Sequence, residues 1–202
     1  IMASLTAVVI LGGIKSIAYV CEKLVPFMAI FYIFGCLILM AMQPETLINT
    51  VNLIFSSAFT GQAAIGGFIG AGMKEALRFG IARGLFSNES GLGSAPIVAA
   101  AAQTKNPVRQ ALVSSTGTFW DTVIVCAITG IVIVNSDQWM KGLNGAALTK
   151  AAFSELQVIG PIILTVGLLT FVFSTILGWS YYGEKAAEYI FGKKSITPYR
   201  IL

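Results

Sequence analysis

The stretch LVPFMAIFYIFGCLILMAM, residues Leu24 to Met42, decides the fold class. It carries no charged side chain, and as a helix it is long enough to cross a hydrocarbon core of about 30 Å. In the whole chain of 202 residues, 56% are hydrophobic and only 11% are charged, whereas soluble domains usually have about 25% charged residues. The sequence therefore predicts an all-α integral membrane protein rather than a water-soluble globule.

Other stretches of low charge predict further crossings. Residues 51–73 and 156–182 carry no charge, and residues 111–134 carry only Asp121. Residues 1–14 are apolar but too short for a full crossing, so we interpret them as the end of a truncated span. The whole chain is accordingly expected to be one transmembrane domain with about four full helices plus a truncated one.

The basic residues indicate the orientation in the membrane. All but two of the 13 Lys and Arg residues fall in alternate connections: a loop that holds Lys15 and Lys23, the segment 74–110, and the end of the chain. The other two, Lys141 and Lys150, lie in a connection on the opposite side. Because cytoplasmic connections carry an excess of Lys and Arg, the basic-rich side is predicted to be cytoplasmic.

The segment 74–110 is too long for a simple turn and is predicted to be a structured cytoplasmic loop. Its middle is rich in small residues. Ser94 is a candidate N-cap and Pro96 suits a first helical position, which predicts a short helix over residues 97–103.

Several classes of function are disfavoured by composition. The chain has no histidine, and its three cysteines, Cys21, Cys36 and Cys126, are scattered without metal-binding spacing. The basic residues flank apolar runs and do not form a stripe, so nucleic acid is not an expected partner. We therefore predict that the protein is not an enzyme and does not bind nucleic acid.

The run SSAFTGQAAIGGFIGAG, within residues 51–73, is the most informative of the spans. Glycines and small polar residues allow a helix to break near the middle of the membrane, where free backbone groups bind carboxylates and cations. We would place such a break at Phe59 to Gln62. The alternative is that the small residues let two intact helices pack closely.

Asp121 lies about ten residues inside a predicted crossing. An ionised carboxylate there is costly, so Asp121 either faces a water-filled pathway, binds a cation or a proton, or is satisfied by a Trp, Thr or Ser side chain nearby. No second acid lies at the middle of a span, so paired-carboxylate chemistry is not expected.

Ser174 and Thr175 place adjacent hydroxyls inside the last apolar span. Neutral oxygen ligands suit a monovalent cation, which predicts a sodium site here. The alternative is that both hydroxyls bond back to carbonyls one turn earlier. Trp179 lies one turn further on and, with Tyr181 and Tyr182, is predicted to form an aromatic belt at the cytoplasmic interface.

Four stretches taken in order resemble the alanine or glycine:cation symporter family, the sodium:alanine symporters of bacteria and archaea. They are GGIKSIAYVCEKLVPFMA at 12–29, AFTGQAAIGGFIGAG at 58–72, RGLFSNESGLGSAPIVAAAAQTKNPVRQAL at 83–112 and FSTILGWSYYGEKA at 173–186. The third is long and specific, and together the four cover nearly the whole chain.

The resemblance implies part of a leucine-transporter-type bundle, in which two inverted five-helix repeats begin with broken helices. On that template the chain runs from the end of the fourth core helix to the beginning of the ninth. It corresponds to the C-terminal half, and an N-terminal half that carries the first core helix is expected to be missing. That helix normally supplies the other half of the substrate and sodium sites.

The resemblance also implies roles for particular residues. Ser174 and Thr175 match the family's hydroxyl ligands of sodium. The implied substrate-binding residues are Phe59, Thr60, Gly61, Gln62, Thr175 and Trp179. The candidates for coupling or gating are Asp121, Asn88 and Glu89.

The function implied is sodium-coupled symport of a small neutral amino acid, alanine or glycine, into the cell. The protein would be a multi-pass component of the cell membrane of a bacterium or archaeon, in contact with the lipid bilayer. Sodium would be a transported ion, not a permanent cofactor. Two alternatives remain: proton coupling through Asp121, and a membrane scaffold or sensor that transports nothing.

Overall fold

A computed structural model describes residues 2–59 and 73–201, without the side chains of Phe59 and of residues 73–76. Within these ranges the chain is helical and has no strand. We number the α-helices in chain order. They are α1 Met2–Leu11, α2 Gly13–Ala41, α3 Pro44–Phe59, α4 Met73–Asn88, α5 Ala95–Ala99, α6 Pro107–Thr118, α7 Ala127–Asn135, α8 Gly145–Phe153, α9 Ile159–Phe191 and α10 Ile196–Ile201. A π-helical segment, Phe119–Cys126, joins α6 to α7 without a break.

Three helices of the described ranges are long and apolar enough to cross a membrane. They are Gly13–Ala41, Pro107–Asn135 and Ile159–Phe191, with mean hydropathy of 2.5, 1.9 and 2.1 in their most apolar windows. At about 1.5 Å per residue, each exceeds the thickness of the hydrocarbon core. The all-α membrane class is thus confirmed. The fourth full span expected from the sequence, over 51–73, runs into residues that the structure does not describe.

The chain divides into two compact units, Ile1–Phe34 with Ile162–Leu202, and Gly35–Pro161. In the first unit, α2 packs along α9. Tyr32 contacts Phe171 edge to face, with ring centroids 5.6 Å apart, and its ring also lies against Gly167. Further along, the Ser174 hydroxyl lies 3.6 Å from the Met28 sulfur. Because contacting residue numbers rise along α2 as they fall along α9, the two helices are antiparallel.

In the second unit, α3 packs against α7, and α7 against α8. The Thr50 hydroxyl, which is buried, donates to the Asn135 side-chain oxygen at 2.9 Å and so joins α3 to α7. Phe153 and Ala152 at the end of α8 are fully buried. The π-helical segment packs against α4.

One expectation about the connections is wrong: Lys15 and Lys23 do not lie in a loop but within α2. The helical run is interrupted earlier, between the end of α1 at Leu11 and the start of α2 at Gly13. Gly13 has a φ of +70°, which glycine adopts without strain. Lys23 remains inside a helix because its ammonium group donates to the Tyr19 hydroxyl one turn earlier, at 2.7 Å. Such i, i+4 contacts stabilise polar turns of a helix that extend out of an apolar core.

The expected cap at Ser94 is also wrong. Ser94 precedes α5 with helical φ and ψ and makes no capping hydrogen bond, because its hydroxyl donates to Glu89 instead. The short helix covers Ala95–Ala99 and not 97–103. The next helix, α6, does have a side-chain cap: the side-chain oxygen of Asn106 accepts from the amides of Val108 and Arg109 at 3.0 and 3.2 Å.

We predict that Gly160→Ala destabilises the protein, because a Cβ at this position of α9 would overlap the backbone carbonyl of Phe153. Overpacking of this kind costs about 1–3 kcal/mol. The matched control is Gly178→Ala in the same helix, where a Cβ would meet open space and alanine favours the helix by about 1 kcal/mol. Melting temperatures in detergent should fall for Gly160→Ala and stay level or rise for Gly178→Ala. Equal melting temperatures for the two variants would contradict the packing described.

Candidate functional site

The two hydroxyls predicted to bind sodium lie side by side on α9. Ser174 and Thr175 both donate to the carbonyl oxygen of Phe171, at 2.9 and 2.8 Å. This is the back-bonded arrangement that the sequence left open as the alternative to an ion site. It does not use up the hydroxyl oxygens, since a hydroxyl that donates its proton keeps lone pairs for another contact. The geometry therefore directs the protons into the helix and leaves oxygen acceptors at this position.

The surroundings of the two hydroxyls differ. Ser174 is half-buried and also contacts Met28 of α2, whereas Thr175 is exposed in the described part of the chain. Trp179 follows Thr175 by one turn and shares its helix face, since residues four apart are neighbours. The Trp179 ring is 45% exposed and packs edge to face against Tyr182, with centroids 5.6 Å apart. Thr175 and Trp179 thus present a hydroxyl and an indole to the same space.

The other predicted substrate residues lie at the limit of the described chain. Helix α3 ends at Phe59, whose side chain is not described, and Thr60, Gly61 and Gln62 lie outside the described residues. The hydroxyl of Ser56, in the last turn of α3, donates to the Leu53 carbonyl at 3.2 Å. The proposed break at residues 59–62 remains a prediction.

Asp121 lies in the π-helical segment and has partners on two elements. The hydroxyl of Ser87, from α4, donates to one carboxylate oxygen at 2.8 Å, and the hydroxyl of the adjacent Thr122 donates to the other at 3.2 Å. The sulfur of Cys126 lies 4.0 Å from the same group. The sequence left open whether neighbouring side chains satisfy the Asp121 carboxylate, and in the structure Ser87 and Thr122 donate hydrogen bonds to it.

Asn88 and Glu89 lie beside Asp121 and shape the turn that follows α4. The Asn88 amide donates to the Thr122 hydroxyl at 2.9 Å, while its oxygen accepts from the backbone amide of Ser90. Glu89 has a φ of +58°, unusual for a residue with a side chain, and accepts from Ser94 at 2.8 Å. The three coupling or gating candidates thus belong to one cluster around the contact between α4 and the π-helical segment.

The sequence interpretation missed the residues that complete this cluster. The position of Ser87 directly before Asn88, in the motif that carries the resemblance, could have marked it as a member of the cluster. The hydrogen bond between Ser90 and Thr118, at 3.2 Å, had no comparable signal. A π-helical turn widens the helix by one residue and is frequent at functional positions. This register places Asp121 and Thr122 towards α4.

A second polar cluster, absent from the sequence interpretation, ties the start of α3 to the end of α7. The Asn135 amide donates to the Gln43 side-chain oxygen at 3.0 Å, and the Gln43 amide donates to Glu155 at 3.2 Å. Gln138 reaches the other oxygen of Glu155 at 3.5 Å. Gln43, Asn135 and Glu155 border an open cavity of about 490 Å³. The partners are up to 112 residues apart, so no local pattern marks them.

The described residues contain no group of three or more His, Cys, Asp or Glu side chains that could hold a metal ion. A divalent-metal centre of that kind is therefore not present in this part of the chain. Sodium has different requirements, because hydroxyl and carbonyl oxygens serve it without an acidic cage. Ser174 and Thr175 are adjacent hydroxyl side chains of this kind on α9.

Comparison with known proteins identifies the family of the chain. The family model described as the sodium:alanine symporter family matches residues 1–202. The chain is similar to the sodium/alanine symporter AgcS of Methanococcus maripaludis, with 52% identity over 100% of this chain and 44% of the relative. It is also similar to a probable sodium/glutamine symporter, GlnT, of Bacillus subtilis, with 37% identity over 100% of this chain and 42% of the relative.

A third relative is a sodium/proton-dependent alanine carrier protein of Bacillus sp. strain PS3, 32% identical over 90% of this chain and 43% of the relative. The chain thus spans less than half the length of these curated relatives. The family model and the relatives are transporters and not enzymes, as the sequence predicted. The chain belongs to the sodium:alanine symporter family and is part of an integral membrane protein.

Proposed function

We propose that the protein containing this chain carries a small neutral amino acid, alanine or glycine, into the cell, driven by the inward sodium gradient. The observation that carries the proposal is the hydroxyl pair of α9, Ser174 and Thr175. Both donate their protons to one carbonyl of their own helix and leave oxygen acceptors inside an apolar span. Membership of a family described by sodium and alanine supports the choice of ion and substrate.

The proposal includes the leucine-transporter-type repeat and the location in the plasma membrane of a prokaryote. The antiparallel packing of α2 and α9 and the π-helical segment are compatible with such a bundle. Backbone groups freed by a break at residues 59–62 would bind the amino and carboxylate groups of the substrate. The remaining ligands would come from a first core helix in an N-terminal half outside this chain.

Trp179 and Thr175 are proposed to contact the substrate as well. The exposed indole lies one turn from the hydroxyl, and an aromatic wall beside small residues admits a methyl side chain and excludes larger ones. Sodium at Ser174 and Thr175 would raise the affinity for the amino acid, and by linkage the amino acid would raise the affinity for sodium to the same extent. No further coupling device is required for symport.

A proton-coupled mechanism is the second candidate, and the placement of Asp121 favours it to a degree. Its carboxylate lies in a membrane-spanning helix and contacts Ser87, Thr122 and Cys126. A scaffold or sensor without transport remains the third candidate, for which these polar contacts would serve packing alone.

The first test is uptake of labelled alanine into proteoliposomes that hold the full-length protein, with and without an inward sodium gradient. We expect Thr175→Ala to raise the half-saturating sodium concentration about tenfold, because the loss of one oxygen ligand of about 1.4 kcal/mol has that effect. Thr175→Ser should retain sodium-driven uptake, since it keeps the hydroxyl.

Thr170→Ala is the matched control for this test. Thr170 lies on the same helix and bonds back to Val166 and Gly167 at 2.9 Å, but it is not a proposed ligand. Its replacement should leave the sodium requirement unchanged. If folded wild-type protein takes up no alanine under any gradient, symport is wrong and the scaffold hypothesis gains support.

Asp121→Asn separates proton coupling from sodium coupling. Asparagine keeps the size of the side chain and one oxygen that accepts from Ser87, but it cannot exchange a proton in the physiological range. If sodium alone drives uptake, the variant should keep its sodium dependence and show the same pH profile between pH 5 and pH 8 as the wild type. Loss of pH-gradient-driven uptake in Asp121→Asn alone, with Ser87→Ala still active, would instead support proton coupling.

A further inference from the structure

The strongest interaction outside the candidate site lies at the end of α9 that carries the basic residues. The Glu184 carboxylate is buried, with 4% of the residue exposed, and the guanidinium of Arg200 in α10 binds it at two points. The Arg200 Nε atom lies 2.6 Å from Oε2, and Nη2 lies 2.9 Å from Oε1. A two-point pair of this kind fixes the orientation of both side chains.

Gly13 forms the surface on which this guanidinium lies. A Cβ at Gly13 would come within 2.7 Å of Nη2 and 2.9 Å of Nη1 of Arg200, so a larger side chain has no room there. Gly13 also separates α1 from α2 and has a positive φ of 70°. The ion pair between α9 and α10 is thus seated on the junction between α1 and α2.

A second contact holds α10 independently of charge. The phenol ring of Tyr199 lies against Gly183, where a Cβ would overlap the hydroxyl. Helix α10 therefore contacts α9 at two adjacent positions, Tyr199 against Gly183 and Arg200 against Glu184. Helices α1 and α10 also pack against each other.

The charges favour two states of the Glu184–Arg200 ion pair, one with both hydrogen bonds formed and one with the residues fully separated. A buried carboxylate that loses the cation bound to it is left poorly compensated, which is strongly unfavourable. The hydrogen bonds to Glu184 raise the pKa of Arg200 above its ordinary value, so the cation persists throughout the physiological range. Loss of the charge on Arg200 therefore does not open the contact.

The position of Glu184 links this contact to the proposed sodium ligands. Glu184 follows Thr175 by nine residues on the same helix, about 14 Å at 1.5 Å per residue. No glycine or proline other than Gly178 and Gly183 interrupts that stretch, and α9 is continuous through it. A rigid helix transmits a displacement of its end over this distance.

We propose that Glu184, Arg200 and Gly13 form a latch that holds the α1–α2 junction against the cytoplasmic end of α9, and that its release lets α1 pivot at Gly12–Gly13. Resting on the proposed function, the latch keeps the cytoplasmic side closed while sodium binds from outside. Loss of the latch depopulates the sodium-binding state. The half-saturating sodium concentration then rises in proportion to the fraction of competent protein that is lost.

The test measures the distance between α1 and α9 in the full-length protein by double electron–electron resonance. Spin labels are attached to cysteines at Val8 and Tyr189, which are 73% and 92% exposed, after replacement of the native cysteines. The wild type should give one distance. Arg200→Gln should add a second, longer distance and raise the half-saturating sodium concentration for alanine uptake at least threefold, with a smaller change in uptake at saturating sodium.

The double variant Glu184→Gln with Arg200→Gln distinguishes a latch from a merely stabilising pair. It removes the uncompensated carboxylate, so its melting temperature should return towards the wild-type value even if Arg200→Gln alone folds poorly. The latch would still be absent, so the second distance and the raised sodium requirement should persist. Restoration of all three properties in the double variant would show that the pair acts only on stability and would overturn the proposal.

Lys194→Gln is the matched control, since it removes an exposed positive charge from the same end of the chain. It should leave distance, sodium requirement and melting temperature unchanged. A single unaltered distance in both Arg200→Gln and the double variant would also overturn the latch. If the wild type shows no sodium-driven uptake, the proposed function fails, while the distance measurement still decides the latch.

Discussion

Hydrocarbon offers no hydrogen bonds, so each polar group in an apolar span needs a partner within the protein. This constraint accounts for the form of the polar sites. Ser174 and Thr175 use the nearest carbonyl of their own helix, and Asp121 receives bonds from Ser87 and Thr122. Among the described residues, no buried side-chain nitrogen or oxygen is left without a partner. The polar side chains in the apolar spans therefore already have hydrogen-bond partners within the protein.

Satisfied contacts and transport are compatible because a hydroxyl or carboxylate oxygen has more acceptor capacity than one bond uses. At α9, back-bonding orients the hydroxyls and leaves the oxygens for an ion. At the π-helical segment, the carboxylate of Asp121 is held between two elements that belong to different helices. The first arrangement suits a binding site, while the second suits a joint between helices. This difference is the physical reason for our proposal that sodium binds at α9 and that the contact with α4 serves coupling or gating.

Local sequence rules worked best where the relevant interaction is itself local. Apolar runs identified α2, the helix Pro107–Asn135 and α9, because the membrane acts on each segment separately. The local sequence rules were wrong at the ends of helices. Charges at Lys15 and Lys23 suggested a loop, but the helix continues through them, since a Lys side chain finds a partner one turn away. Ser94 and Asn106 both precede a helix-starting proline region, but the Ser94 hydroxyl donates to Glu89, five residues earlier, and does not cap the helix.

The sequence by itself determined the membrane class, the absence of histidine chemistry and membership of the sodium:alanine symporter family. These properties depend on composition and on contiguous motifs, which are readable along the chain. The tertiary structure alone decided which side chains meet: Ser87 with Asp121, Gln43 with Asn135 and Glu155, and Arg200 with Glu184 over Gly13. Such pairs depend on helix register and packing direction, and a spacing of 16 to 112 residues contains no periodic signal that would join them.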